Sequence, residues 1–174
     1  MTGADFLALS PLIVLSAAPV VVLLAIAWSR NHAAARVLAM SSLVVALLAC
    51  WFAAGDTPRQ VTGLVLIDKF GLLYMTLILL TTFSLFALSK RYYAVRESQP
   101  EEFYVLLLLA AAGGCVMAVS THFASFFLGL ELLSVPLYGL IAYVRTDVRS
   151  TEASLKFLIL AAASAAFLLF GMAL

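Results

Sequence analysis

Residues 103–120 read FYVLLLLAAAGGCVMAVS, a run without a single charge, and residues 122–144 follow as HFASFFLGLELLSVPLYGLIAYV, with Glu131 as their only Asp, Glu, Lys or Arg. A helix needs about 20 predominantly apolar residues to cross a bilayer. Both runs have that length, and only Thr121 separates them, so they read as two spans joined by a tight turn. A β-barrel would need strands of about 10 residues alternating polar and apolar side chains. These runs are apolar on every side.

Four further segments of the same kind lie outward from this pair: Leu7–Trp28, Ala35–Ala54, Gly71–Ser89 and Ala153–Leu174. The expected fold is an all-α, polytopic transmembrane bundle of about six spans, with no room for a soluble domain. Composition agrees. Apolar residues make up 65% of the 174 and charged residues 11%, where soluble domains run near ~50% and ~25%. The mean hydropathy of +1.13 also excludes disorder, because so apolar a chain has ample surface to bury. Ten Lys/Arg against nine Asp/Glu leave a net charge of +1 and no basic face for nucleic acid. Cys50 and Cys115 each lie inside an apolar run, which signals neither a disulfide framework nor a zinc site. No Gly-rich phosphate loop, metal-ligand cluster or nucleophilic triad is found in the sequence. The stretch before the first span carries Asp5 and no Lys or Arg, so that span reads as a retained helix and not a secretory signal.

Loop charges predict the orientation. The connections after spans one, three and five hold Arg30, Arg36, Lys90, Arg91, Arg96, Arg145 and Arg149; those after spans two and four hold Arg59 and Lys69. Positive residues concentrate in cytoplasmic loops, so both termini are expected on the periplasmic side. Trp28, Trp51, Tyr92, Tyr93, Tyr104 and Tyr143 lie near span ends, where amphipathic rings favour the headgroup layer. Ala110–Gly114 and Ala161–Ala166 offer small residues for close helix packing. Pro11, Pro19 and Pro136 fall inside spans and are tolerated where a neighbour satisfies the released carbonyl.

Glu131 carries the most information. At 1.5 Å per residue it lies roughly 13 Å from one end of its span, too deep to reach water by extending its side chain. Ionised and unpaired it would cost several kcal/mol, so it must be protonated, paired or wetted by a cavity. Each state makes its charge responsive to its surroundings, as a proton carrier requires; the plainer reading is a structural carboxyl bonded to a neighbouring helix. Lys156 lies about one turn inside the sixth span, four residues after Glu152, in the favourable order for a helical ion pair. It reads either as a snorkelling surface lysine or as a charge roughly 10 Å from Glu131 along the membrane normal. Glu101 and Glu102 read as solvated charges at a helix N-terminus. Asp68 reads as a helix cap, and His122 as a solvated imidazole at a span edge.

Three stretches carry a family resemblance: EEFYVLL at 101–107, LGLELLS at 128–134 and RSTEASLKF at 149–157. In this order and spacing they resemble the antiporter-like subunit N family of bacterial NADH–quinone oxidoreductase, respiratory complex I. The resemblance implies a membrane-arm subunit that contributes to proton translocation coupled to quinone reduction. Glu131 would then belong to the proton-translocating machinery and Lys156 to its cytoplasmic access route. It implies no cofactor in this chain: NADH, FMN, iron–sulfur clusters and quinone would bind elsewhere in the complex. The implied partners are other membrane-arm subunits and membrane lipids, with no nucleic acid, in the bacterial inner membrane. Residues 1–100 would supply N-terminal helices, and 101–174 the start of the first of two inverted repeats. Because the chain ends at Leu174, inside that repeat, it is expected to be part of a longer subunit with no catalytic activity alone. Pro136 departs from the family pattern and deletes the amide that would bond the carbonyl of Leu132. Two alternatives stay open. One is part of a Mrp-type cation/proton antiporter or membrane-bound hydrogenase subunit; the other is a non-catalytic structural bundle.

Overall fold

The computed structural model describes residues 3–95, 101–144 and 147–174. Six long helices dominate: α1 (Gly3–Trp28), α2 (His32–Ala53), α3 (Lys69–Val95), α4 (Glu101–Val119), α5 (Phe123–Ile141) and α6 (Val148–Ala173). The shortest have 19 residues and the longest 27, so they rise roughly 28 to 40 Å, enough for a hydrocarbon layer of about 30 Å. All six are long and apolar enough to cross a membrane. Every expected span is one of these helices. The basic residues Arg96 and Arg145 counted for orientation lie outside the described residues.

Short polar side chains fix where helices begin, by accepting amide protons that the first turn cannot use. Asn31 Oδ1 takes those of Ala33 and Ala34 at 3.0 and 3.3 Å for α2. Asp68 Oδ1 takes that of Gly71 at 2.6 Å for α3, as its position predicts. Asp147 serves α6 through Arg149 N at 3.0 Å. His122 is exposed, as expected, and also caps α5: its Nδ1 accepts from Ala124 N at 3.2 Å. Inside α1, Pro11 cannot bond the carbonyl of Leu7, and the neighbouring Ser10 hydroxyl donates to that oxygen instead, at 2.7 Å.

Helices α1 to α4 surround a core in which Leu15, Leu43, Met75, Leu79, Phe86, Tyr104 and Leu108 are fully buried. Helix α5 lies on the opposite side of α4, and α6 packs against α5 with none of its own residues buried. Close approach of α4 and α5 depends on glycine. A Cβ at Gly113 would lie 2.7 Å from the carbonyl oxygen of Gly129, and one at Gly129 would lie 2.9 Å from Met117 N. The small-residue surface expected at Ala110–Gly114 is therefore in use. Of the second such surface, Ala161 and Ala165 are half-buried.

The link between α2 and α3 is more than a polar loop. It contains a turn of 3-10 helix (Ala54–Asp56) and a hairpin of β1 (Arg59–Val61) and β2 (Val65–Ile67), paired Arg59↔Ile67, Gln60↔Leu66 and Val61↔Val65. Thr62 and Gly63 turn with φ of 61° and 34°, the positive values that a tight hairpin bend requires. The hairpin folds over one end of the bundle, with Val61 and Ile67 buried beneath it. Val65 bridges to Ser120, and the Leu64 carbonyl accepts from Thr121 N at 3.0 Å and Ser125 Oγ at 2.7 Å. Arg59 Nε meets Asp5 Oδ1 at 2.5 Å, holding the start of α1 to the same end.

Candidate functional site

Glu131 lies on α5, half-buried. Its carboxylate has no hydrogen-bond or ion-pair partner among the described residues. Helical phase places it. Gly129, which meets α4, is two residues away and so about 200° round the helix, whereas Tyr138 is seven residues on and returns to nearly the same direction. Tyr138 faces α6: its ring meets Phe157 edge-on at 5.6 Å, and its carbonyl accepts from Ser154 Oγ at 2.9 Å. Glu131 therefore belongs to the α5 flank turned toward α6, not toward α4. Nearby, the Ser134 hydroxyl turns back onto the Leu130 carbonyl at 2.6 Å. Ser150 Oγ donates to Ile141 O at 2.5 Å and closes the α5–α6 corner.

Lys156 neighbours Phe157 on α6 but points about 100° away from it, off the α5 contact. Its side chain is 69% exposed, and its Nζ meets Glu152 Oε1 at 2.5 Å across one turn, the ion pair expected from their spacing. Because Phe157 lies level with Tyr138, and Glu131 seven residues further, Lys156 and Glu131 stand roughly 10 Å apart along the axis. The described chain does not bring the two charges together, and the face carrying Lys156 and Glu152 is uncovered within it.

The glutamates that open α4 correct the sequence reading in part. Glu102 is half-exposed and ion-paired to Arg30 Nη2 at 2.8 Å, with Tyr143 OH at 3.4 Å. Glu101 is not at the surface: it is 1% exposed, and Arg30 Nε stands 3.8 Å from its Oε2. The reason is topological. The α1–α2 turn carries Arg30 over the start of α4 and covers the first of the two carboxylates. Both glutamates were visible in the sequence; the arginine that covers them is separated from Glu102 by 72 residues, and helical periodicity carries no signal for such a contact.

Among the described residues no group of three or more His, Cys, Asp or Glu side chains converges as metal ligands would. Cys50 and Cys115 are buried in the apolar core, away from any cluster of polar donors. Helices α5 and α6 offer one deep carboxylate, Glu131, and a basic side chain nearer the helix end, Lys156, both groups that can exchange protons.

Residues 120–174, which comprise α5 and α6 with Glu131 and Lys156, match the family model described as "NADH:quinone oxidoreductase/Mrp antiporter, TM". Over 99% of its length the chain aligns with the NADH-quinone oxidoreductase subunit N of Ectopseudomonas mendocina (strain ymp), at 46% identity over 178 residues. The chain spans 36% of that relative's length. With six helices long and apolar enough to cross a membrane and this identity along nearly all of its sequence, the chain is a multi-pass membrane protein similar to part of an NADH–quinone oxidoreductase subunit N.

Proposed function

We propose that the chain forms part of a membrane-arm subunit of a proton-translocating NADH–quinone oxidoreductase, with Glu131 on the proton path and Lys156 at its cytoplasmic entry. The observation that carries this reading is the carboxylate of Glu131 in mid-span, without a partner among the described residues, on the flank of α5 that faces α6. A deep charge without a partner among the described residues needs water or a base from elsewhere; 64% of the relative lies outside the aligned portion and can supply one. Lys156, tied to Glu152, stands between Glu131 and the helix end, at a distance that water can span and a direct hydrogen bond cannot. The bias of basic loops puts that end in the cytoplasm and both termini in the periplasm. Residues 1–100 act as N-terminal helices beside the beginning of an antiporter-like repeat at 101–174. NADH, FMN, iron–sulfur clusters and quinone bind in other subunits, which with lipids of the bacterial inner membrane are the partners of this one.

Replacing Glu131 with Gln in the complete complex tests the reading, because it keeps size and hydrogen bonding and removes the titrating charge. NADH-driven proton uptake into inverted vesicles should fall while assembly is kept. Lost assembly, with normal pumping by whatever complex survives, would instead make Glu131 structural. The description of the matching family model also covers Mrp antiporters, and sodium-dependent transport by the full-length protein would favour that second reading.

A further inference from the structure

Behind Arg30, at the end of the bundle where α4 begins, three buried polar atoms have no hydrogen-bond partner among the described residues: Glu101 Oε2, Tyr104 OH and His32 Nδ1. They are neighbours. Glu101 and Tyr104 are one turn apart on α4, and the His32 ring stacks on that of Tyr104 at 5.7 Å with 28° between their planes. Tyr104 is fully buried, its ring held edge-on by Phe86 at 5.1 Å and by Phe103 at 5.7 Å. Aromatic contacts thus fix the ring without satisfying its hydroxyl. Ser89 of α3 stands near enough to the phenol to accept its proton but gives its own proton to the Phe86 carbonyl at 2.9 Å, so it leaves the phenol oxygen's acceptor side open. Arg30 is the cover: it is 66% exposed, bonds Glu102 at 2.8 Å and lies 3.8 Å from Glu101.

Buried polar groups are rarely left unmatched, and water is the usual partner when two to four of them converge. This set suits water chemically. A carboxylate oxygen accepts, a phenol donates or accepts, and an imidazole nitrogen does one or the other according to its tautomer. This group of side chains is distinct from the surroundings of Glu131. Tyr104 lies nine residues, two and a half turns, before Gly113 and so on the side of α4 opposite α5, and Glu101 is roughly 18 Å along the axis from the level of Gly113. We propose that Glu101, Tyr104 and His32 bind ordered water beneath Arg30, forming a second hydrated carboxyl site at the arginine-rich end of the bundle. The site keeps a fully covered glutamate in contact with water and joins α2 to α4 through solvent. It does not depend on the role given to Glu131.

A high-resolution cryo-EM map of the complete complex tests it. The expected result is density outside the polypeptide, within hydrogen-bond distance of Glu101 Oε2 and of Tyr104 OH or His32 Nδ1. Three results would overturn it: a side chain from another segment bonded to these atoms, a direct bond between Tyr104 and Glu101 with no water beside them, or no density beside any of the three. A map of the Tyr104→Phe complex supplies the second arm, because the change removes one partner and keeps the stacked ring. The water peak should weaken or vanish there; an unchanged peak would show that Tyr104 does not hold it.

Discussion

Gly113 and Gly114 are adjacent on α4, and alanine should have opposite consequences at the two positions. At Gly113 the new methyl would stand 2.6 Å from the carbonyl carbon of Leu132 and 2.7 Å from the carbonyl oxygen of Gly129. Both are backbone atoms of α5, so no side chain can swing aside and the helices must separate. A gap of half to one ångström forfeits about a quarter to a half of each dispersion contact along the seam. Overpacking of this kind costs about 1–3 kcal/mol. At Gly114 the methyl would meet the tip of Ile78 at 3.4 Å, an ordinary contact. There the helix gains about 0.5–1 kcal/mol from replacing glycine. Thermal denaturation of complexes carrying each full-length variant reads the difference. Gly113→Ala should melt well below the parent, and Gly114→Ala at or above it. Equal melting temperatures for the two variants would refute the close α4–α5 approach on which the position of Glu131 rests.

Three further outcomes follow from the same geometry. Lys156→Arg should preserve pumping if the side chain acts only as a fixed charge, and impair it if the residue must release a proton, since guanidinium does not deprotonate; Lys156→Ala should impair pumping in both cases. Asp68→Ala removes the acceptor for Gly71 N and should lower stability by about 1 kcal/mol, while Asp68→Asn, which keeps an acceptor, should cost less in the same melting assay. For topology, a cysteine at Gly3 should react with an impermeant maleimide from the periplasm and one at Ser29 should not; the reverse pattern would invert the orientation inferred from loop charge.

The six spans were legible because a membrane helix must be apolar over its whole length, and that signature survives in any reading of residues 103–144. The caps Asn31, Asp68 and Asp147 also follow local rules, although only Asp68 was singled out. The hairpin was missed, although its residues 61–67 read VTGLVLI, because a Thr-Gly turn between short apolar runs is faint beside spans of 20 residues. The burial of Glu101 could not be read at all, because it depends on Arg30 crossing from another helix pair. Glu131 was conspicuous as a lone charge in an apolar run. Its flank, facing α6 and not α4, needed Tyr138 and Phe157 as markers. Nor could the sequence place Lys156 on the side of α6 away from α5, because local spacing pairs it with Glu152 equally well on any face.

Protons moved per pair of electrons, measured in vesicles carrying the complete complex with Glu131→Gln and compared with the parent at matched rates of NADH oxidation, test the central claim most directly. A role for Glu131 in translocation predicts a lower ratio, or electron transfer that slows together with pumping, in complexes assembled to the normal level. An unchanged ratio at an unchanged rate would contradict it and leave Glu131 as a half-buried carboxyl that only helps α5 pack.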